Sequence, residues 1–398
     1  YPGAQGSSIR HMVQLGAVVI FSANHPTYGV ELWKTDGSAT GTTLIADINP
    51  SGNSSPVLAT SEVLGSALYF AATDGSRGIE LWKTDGTAAG TRIAVDINPG
   101  PASSIPLFLH RNGSSLFFAA DGGASKGREL WRYTNGISDM VKDISPGSSS
   151  SSPFGFSNLG NQVVFTANDP STGYELYLTD GSQAGTAQVK DIQAGPAGGL
   201  PYWLTPISRN KILFSSSDGD QKHGTELWET DGTATGTQLF RDLSPQFTTK
   251  SANPHELTSV NGQTLLFAAD DGHHGTELWK TDASGTSMVI DLNRGTQSSN
   301  PSDFYPFWNG SKTITLFQAN NGNIGTELWK TDGTMAGTQL VIDARVGAQS
   351  SNPRQMTLCG DQVFFTANDG VHGTELWGTN GLTTGMVMDL QAGSGSSD

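Results

Sequence analysis

"GIELWKTDGT" occupies residues 78–87, and near copies recur along the chain: "GTELWETDGT" at 224–233, "GTELWKTDAS" at 275–284, "GTELWKTDGT" at 325–334 and "GTELWGTNGL" at 373–382. Counted by its glutamate, the phrase stands at Glu31, Glu80, Glu129, Glu175, Glu226, Glu277, Glu327 and Glu375, with spacings of 49, 49, 46, 51, 51, 50 and 48 residues. A period near fifty that fills all 398 residues overrides the length prior for two or three domains. It predicts one domain over 1–398, with repeats at about 1–50, 51–99, 100–146, 147–194, 195–245, 246–295, 296–346 and 347–398.

Each repeat carries four short β signals, read in the second as "VLATSEVLG", "SALYFAATDG", "IELWKTDG" and "TRIAVDI". The three connections within a repeat are tight and glycine-rich, whereas the fourth, "NPGPASSIP" at 98–106, is long. Three hairpins and one longer crossover are what a four-stranded propeller blade needs, because its outermost strand must return to the innermost strand of the next blade. The fold expected is therefore all-β, an eight-bladed β-propeller, with a seven-bladed propeller plus an extra unit as the alternative. The chain opens with "PGAQGSS" at 2–8 and closes with "QAGSGSS" at 391–397, two copies of the same crossover loop. In this phase every blade is continuous in sequence, and the two ends are expected side by side.

The repeated "ELWKTDGT..GT" resembles a bacterial repeat family named for its ELWxxDGTxxGT consensus and found in exported proteins of environmental bacteria. The resemblance covers all eight repeats; it implies a β-propeller and export, and names no activity. Departures stand at "YELYLTDGS", where Tyr177 replaces Trp, at "RELWRYTNG" in the third repeat, and at Ala283, where the sixth loses its turn glycine.

With 35% hydrophobic residues, 50 Gly and nine Trp, the composition is that of a glycine-punctuated β protein rather than a disordered or fibrous one. No apolar run approaches 18 residues, so no membrane-spanning helix is expected. The excess of 37 Asp and Glu over 22 Lys and Arg repels nucleic acid and anionic lipid. The single cysteine, Cys359, excludes an internal disulfide framework and is expected as a small buried hydrophobe. Tyr1 in place of Met, with the scarcity of lysine, is read as a mature exported chain, extracellular or cell-surface.

Within the phrase, alternation puts Glu31 and Trp33 on one face of a strand and Leu32 and Lys34 on the other. The aromatic ring is expected to fill the gap between adjacent blades. Asp or Asn followed by Gly at the next turn (Asp36, Asp85, Asn135, Asp180, Asp231, Asp282, Asp332, Asn380) is ordinary turn chemistry. A second acid closes each repeat: Asp47, Asp96, Asp143, Asp191, Asp242, Asp291, Asp343 and Asp389. In one hairpin register each Glu meets this Asp, a carboxylate pair that calcium would suit; in the other reading each acid accepts backbone N–H bonds at a strand end. Histidines gather at the turn between the second and third strands (His25, His223, His273, His274, His372) and are expected as exposed polar turn residues.

Function is sought where the pattern breaks. Just after the crossover proline the repeats read Val57-Leu58, Leu107-Phe108, Phe154-Gly155, Tyr202-Trp203, His255-Glu256, Ser302-Asp303 and Arg354-Gln355, with Arg10 and His11 near the matching place. Tyr202, Trp203, His255, Glu256, Asp303, Phe304, Tyr305, Trp308 and Arg354 are the ligand-binding candidates, since aromatic faces beside polar groups hold sugars by stacking and hydroxyl contacts. No nucleophile elbow, phosphate loop, dinucleotide fingerprint or zinc motif appears. The reading is an exported binding or adhesion module for carbohydrate or a cell-surface or matrix component, its near-symmetry suiting multivalent contact. A structural subunit that recognises another protein in a surface layer, appendage or extracellular complex is the alternative, and a polysaccharide lyase or hydrolase the third.

Overall fold

The structure, a computed structural model, describes residues 7–219, 222–246 and 251–388. The chain is all-β and forms the eight four-stranded antiparallel blades of a β-propeller, each blade built from four strands consecutive in sequence. The eighth repeat folds as a complete blade like the others, which removes the seven-bladed alternative. Blades are numbered 1 to 8 in chain order. They group into two compact units, 1–200 with blades 1 to 4 and 201–398 with blades 5 to 8. Asp389, residues 2–6 and residues 391–397 lie outside the described residues.

In each unit the first strands of consecutive blades touch one another and so form its inner edge. The core lies between blades, and the alternation of the ELW strand explains how. In blade 2, Trp82 and Phe70 pack with Leu32 and Ile45 of blade 1, while Leu81 faces the other way and packs with Phe118 and Trp131 of blade 3. The same exchange joins blades 3 and 4 through Phe165 and Tyr177, 5 and 6 through Phe267 and Trp279, 6 and 7 through Phe317 and Trp329, and 7 and 8 through Phe365 and Trp377. The expected aromatic filling is thus present. A second ring, the fully buried Phe opposite each Trp (Phe70↔Trp82, Phe267↔Trp279), shares the role and went unremarked in the sequence. Burying each such ring contributes roughly 1.5–3 kcal/mol.

Two glycines of the repeat answer to space. The glycine before the ELW strand sits at positive φ against its own crossover: a Cβ on Gly78 would lie 2.3 Å from the Ala102 carbonyl oxygen, and one on Gly127 would lie 1.9 Å from that of Ser149. The second glycine of DGTxxGT lies under the turn carboxylate, so that a Cβ on Gly90 would stand 2.0 Å from Asp85 Oδ1. That carboxylate accepts the Thr87 amide at 2.9 Å and the Thr87 hydroxyl at 2.6 Å, and the flanking threonines share a hydrogen bond, Thr84 to Thr91 at 2.7 Å. Every letter of the consensus therefore has an architectural duty. Cys359 is exposed, contrary to the buried position expected, because it ends a first strand at its hairpin turn.

Candidate functional site

The glutamate of ELW is buried in every blade, and in seven blades its partners are explicit. Glu31 Oε2 accepts the Ile48 amide at 2.9 Å and Oε1 the Ser54 amide at 2.8 Å, both in the crossover that leaves its own blade. The same pair of bonds recurs from Glu80, Glu129, Glu175, Glu226, Glu277 and Glu327. In blades 2, 3, 6 and 7 a crossover serine hydroxyl adds a third bond at 2.5–2.6 Å. The Glu carboxylates are committed to backbone N–H groups, while the pairing of Leu32 with Ala46 leads Asp47 towards Glu31, whose pKa its charge helps raise. Asp47, Asp96, Asp143, Asp291 and Asp343 each keep a buried oxygen with no hydrogen-bond partner among the described residues. Among the described residues no group of three or more His, Cys, Asp or Glu gathers in a form that could hold a metal ion.

Burial pushes Glu175 and Glu226 up to about 7 against the pull of those N–H bonds, and raises the other five as well. A folded-state pKa above the unfolded value means that this stability is complete below about pH 4.5 and is lost as pH rises through about 7. The turn aspartates act oppositely: hydroxyl and amide donors hold Asp36, Asp85, Asp180 and Asp231 below 3.8, so their contribution fails only in stronger acid. The unfolding free energy from urea titration should therefore be higher at pH 5 than at pH 8, by on the order of 1 kcal/mol per pKa unit and group. Equal free energies would remove this account of the buried glutamates.

The "HGTE" histidines act within their own turns. The Nδ1 atoms of His223, His274 and His372 lie 2.8, 2.8 and 2.6 Å from Asp218, Asp271 and Asp369, whose other oxygens accept the histidine amides.

The inner edge is different. In all eight blades the pairing of the first strand with the second slips near its start, as between Tyr202↔Ser215 and Thr205↔Leu213. In seven blades the residue inside this bulge is left-handed: His11, Phe108, Trp203, Glu256, Asp303 and Gln355 have φ of 48–59°, and Gly155 has 65°. A bulge re-aims a side chain, and the left-handed conformation costs an L residue roughly 1–2 kcal/mol. Only blade 4 uses the residue that would avoid the strain. The positions are those at which the sequence breaks its period, and Phe108 and Trp203 are 45% and 43% exposed.

In the second unit the bulges bring His255, Glu256 and Asp303 together. The Glu256 carboxylate accepts the Asp303 amide, and burial followed by the Asp303 charge raises its pKa. Gln318 Nε2 donates to Asp303 Oδ2 at 2.6 Å, and His255 Nδ1 lies 2.8 Å from the Asn253 carbonyl. Tyr202, Trp203 and Arg354 are exposed at the same strand starts of blades 5 and 8. The remaining aromatic candidates separate from this set. Phe304 is buried in the core between blades 6 and 7, and Tyr305 is a strut whose hydroxyl accepts the Leu358 amide at 2.8 Å. Trp308, 61% exposed, lies at the far end of its strand, where it lines a cleft of about 370 Å³ with Asn261 and the Lys312–Asp332 ion pair. Their common departure from the repeat grouped these residues in sequence; in the structure Phe304 and Tyr305 fall within or next to the bulge between Ser302 and Tyr305 and go to different places.

Fold and site define a β-propeller whose inner-edge bulges display varied side chains. No family model matches the chain, and no curated protein does. Similar solved structures include a puromycin hydrolase S511A mutant complexed with PGG (12% identity, 92% of this chain and 58% of that one, TM-score 0.46). A puromycin-hydrolyzing peptidase from Mycobacterium tuberculosis has 10% identity, covering 95% and 53%, with a TM-score of 0.46. Oligopeptidase B from Leishmania major also has 10% identity, covering 91% and 53%, with a TM-score of 0.47. The chain spans little more than half the length of these structures, and TM-scores below 0.5 bear on neither mechanism nor ligand.

Proposed function

We propose that the chain is an exported binding module that recognises carbohydrate, or another cell-surface or matrix component, through the inner-edge bulges of its second unit. The observation that carries this reading is the left-handed backbone kept at Trp203, Glu256, Asp303 and Gln355, where glycine would relieve the strain. Trp203 and Tyr202 offer aromatic faces for a sugar ring, and Glu256, Asp303, Gln355 and Arg354 offer hydroxyl partners.

Trp203→Gly separates function from architecture. It is expected to raise stability by about 1 kcal/mol, since glycine accepts the left-handed backbone, while glycan binding on an array falls at least roughly tenfold. Unchanged glycan binding by Trp203→Gly would defeat the reading, and silence of the parent protein on every glycan would favour a protein-binding subunit. One arrangement favours a polysaccharide lyase or hydrolase as the second reading: Glu256, its pKa raised by burial and by the Asp303 charge, stands beside that second carboxylate, a pairing used for acid catalysis. Polysaccharide cleavage that survives Glu256→Gln would exclude it.

A further inference from the structure

We propose that the cleft between blades 2 and 3, in the first unit, binds the carboxylate or sulfate of an acidic saccharide. It lies at the end of the blades opposite the inner-edge bulges and does not rest on the reading above.

The argument begins with the residue after Trp in the ELW strand. In blades 1, 3 and 7 this cation is satisfied by the turn of the following blade: Lys34 Nζ donates to the Gly86 carbonyl at 2.8 Å, Arg132 to that of Gly181 at 2.7 Å and Lys330 to that of Gly381 at 2.8 Å. Lys83 of blade 2 should reach blade 3 in the same way. Blade 3 departs from the repeat at this point, "RYTNGI" replacing the longer DGTxxGT turn. Asn135 and Gly136, with φ of 49° and 86°, join its last two strands directly in a two-residue hairpin. The covering segment is absent, and Lys83 has neither a hydrogen bond nor an ion pair among the described residues.

What remains is a cleft of about 600 Å³, lined by Lys83 and Arg111 with Tyr69, Tyr133, Ser114 and Asn135. None of its lining residues is an acid. Arg111 donates Nε to the Gly113 carbonyl, and its terminal nitrogens have no partner among the described residues. Cross-strand pairing sets Arg92 directly opposite Lys83, a like-charge juxtaposition that an isolated sheet disfavours and an anion would relieve. Of the nearby acids, Glu62, opposite Tyr69, acts on His110, and Asp85, which caps its own turn, is also drawn to Arg92; neither lines the cleft.

A cleft charged only with cations, in a chain of net charge −15, concentrates anions where the rest of the surface repels them. The same acidic surface disfavours a long polyphosphate. The volume suits one or two sugar rings, with the tyrosine rings as a floor and Ser114 and Asn135 at the rim for hydroxyls.

The test is calorimetry at low salt with three glucans of equal length: sulfated, carboxylated and neutral. Both acidic glucans are expected to bind the parent protein, more weakly as salt rises. Lys83→Gln and Arg111→Gln are each expected to lower that affinity roughly tenfold, and Lys83→Arg to retain it, at unchanged melting temperature. The proposal is overturned if the glutamine variants bind like the parent, if inorganic sulfate binds as tightly as the sulfated glucan, or if a single-stranded oligonucleotide binds as tightly as the acidic glucans.

Discussion

Glu129→Ala is expected to destabilise the protein by about 3–5 kcal/mol, a large share of the stability of any domain. The change leaves the Ile144 and Ser151 amides and the Ser151 hydroxyl without their acceptor, at a site with no access to water. Each stranded buried donor costs roughly 1–3 kcal/mol, and the vacated volume adds to this. Glu129→Gln should cost less, because its carbonyl keeps one amide while its NH2 confronts the other. The urea midpoint should fall with little change in slope, and limited proteolysis should cut first in the crossover at 145–150. An unfolding free energy within about 1 kcal/mol of the parent would mean that the glutamates do not hold the crossovers.

Trp131→Ala should cost a similar amount, roughly 3–5 kcal/mol, since the ring fills the space against Leu81, Ile97 and Tyr69 of the preceding blade. The milder change to Phe distinguishes packing from hydrogen bonding. Trp329 Nε1 donates to the Ala319 carbonyl at 3.0 Å, whereas Trp131 Nε1 finds no acceptor among the described residues. Trp329→Phe should therefore be the more damaging of the two, by about 1 kcal/mol. Equal losses would assign the indole ring to packing alone.

The repeat was legible because its period and its turn residues are local signals. "DG" and the spacing of ELW determine hairpins and blades without knowledge of the neighbours. The partner of the glutamate was legible only as a class, backbone N–H: the amides of Ile48 and Ser54 stand 17 and 23 residues beyond Glu31, and the crossover serine that in blades 2, 3, 6 and 7 adds its hydroxyl lies among many other serines. The candidate site was half legible. Its positions showed as breaks in the period, but the left-handed backbone at Trp203 and Glu256 has no mark in sequence, since neither is glycine or asparagine. Phe304 and Tyr305 stood out as aromatic breaks in the period, but the bulge that decides which side each takes has no mark in sequence. Blade 3's "YTNG" was visible as a departure. Its effect on Lys83 falls on the neighbouring blade, where a reading along the chain does not look.

The left-handed bulge also bears on how such a chain can change. The strain of that conformation belongs to the backbone, so His11, Phe108, Trp203 and Gln355 can be exchanged for one another at little change in stability, whereas Glu256 and Asp303 also hold hydrogen bonds, to the Asp303 amide and to Gln318. Their side chains lie outside the Phe and Trp packing between blades. A family of variants randomised at the first four positions should fold alike and bind differently: the molecule behaves as a fixed frame carrying a short, rewritable alphabet, one letter to a blade.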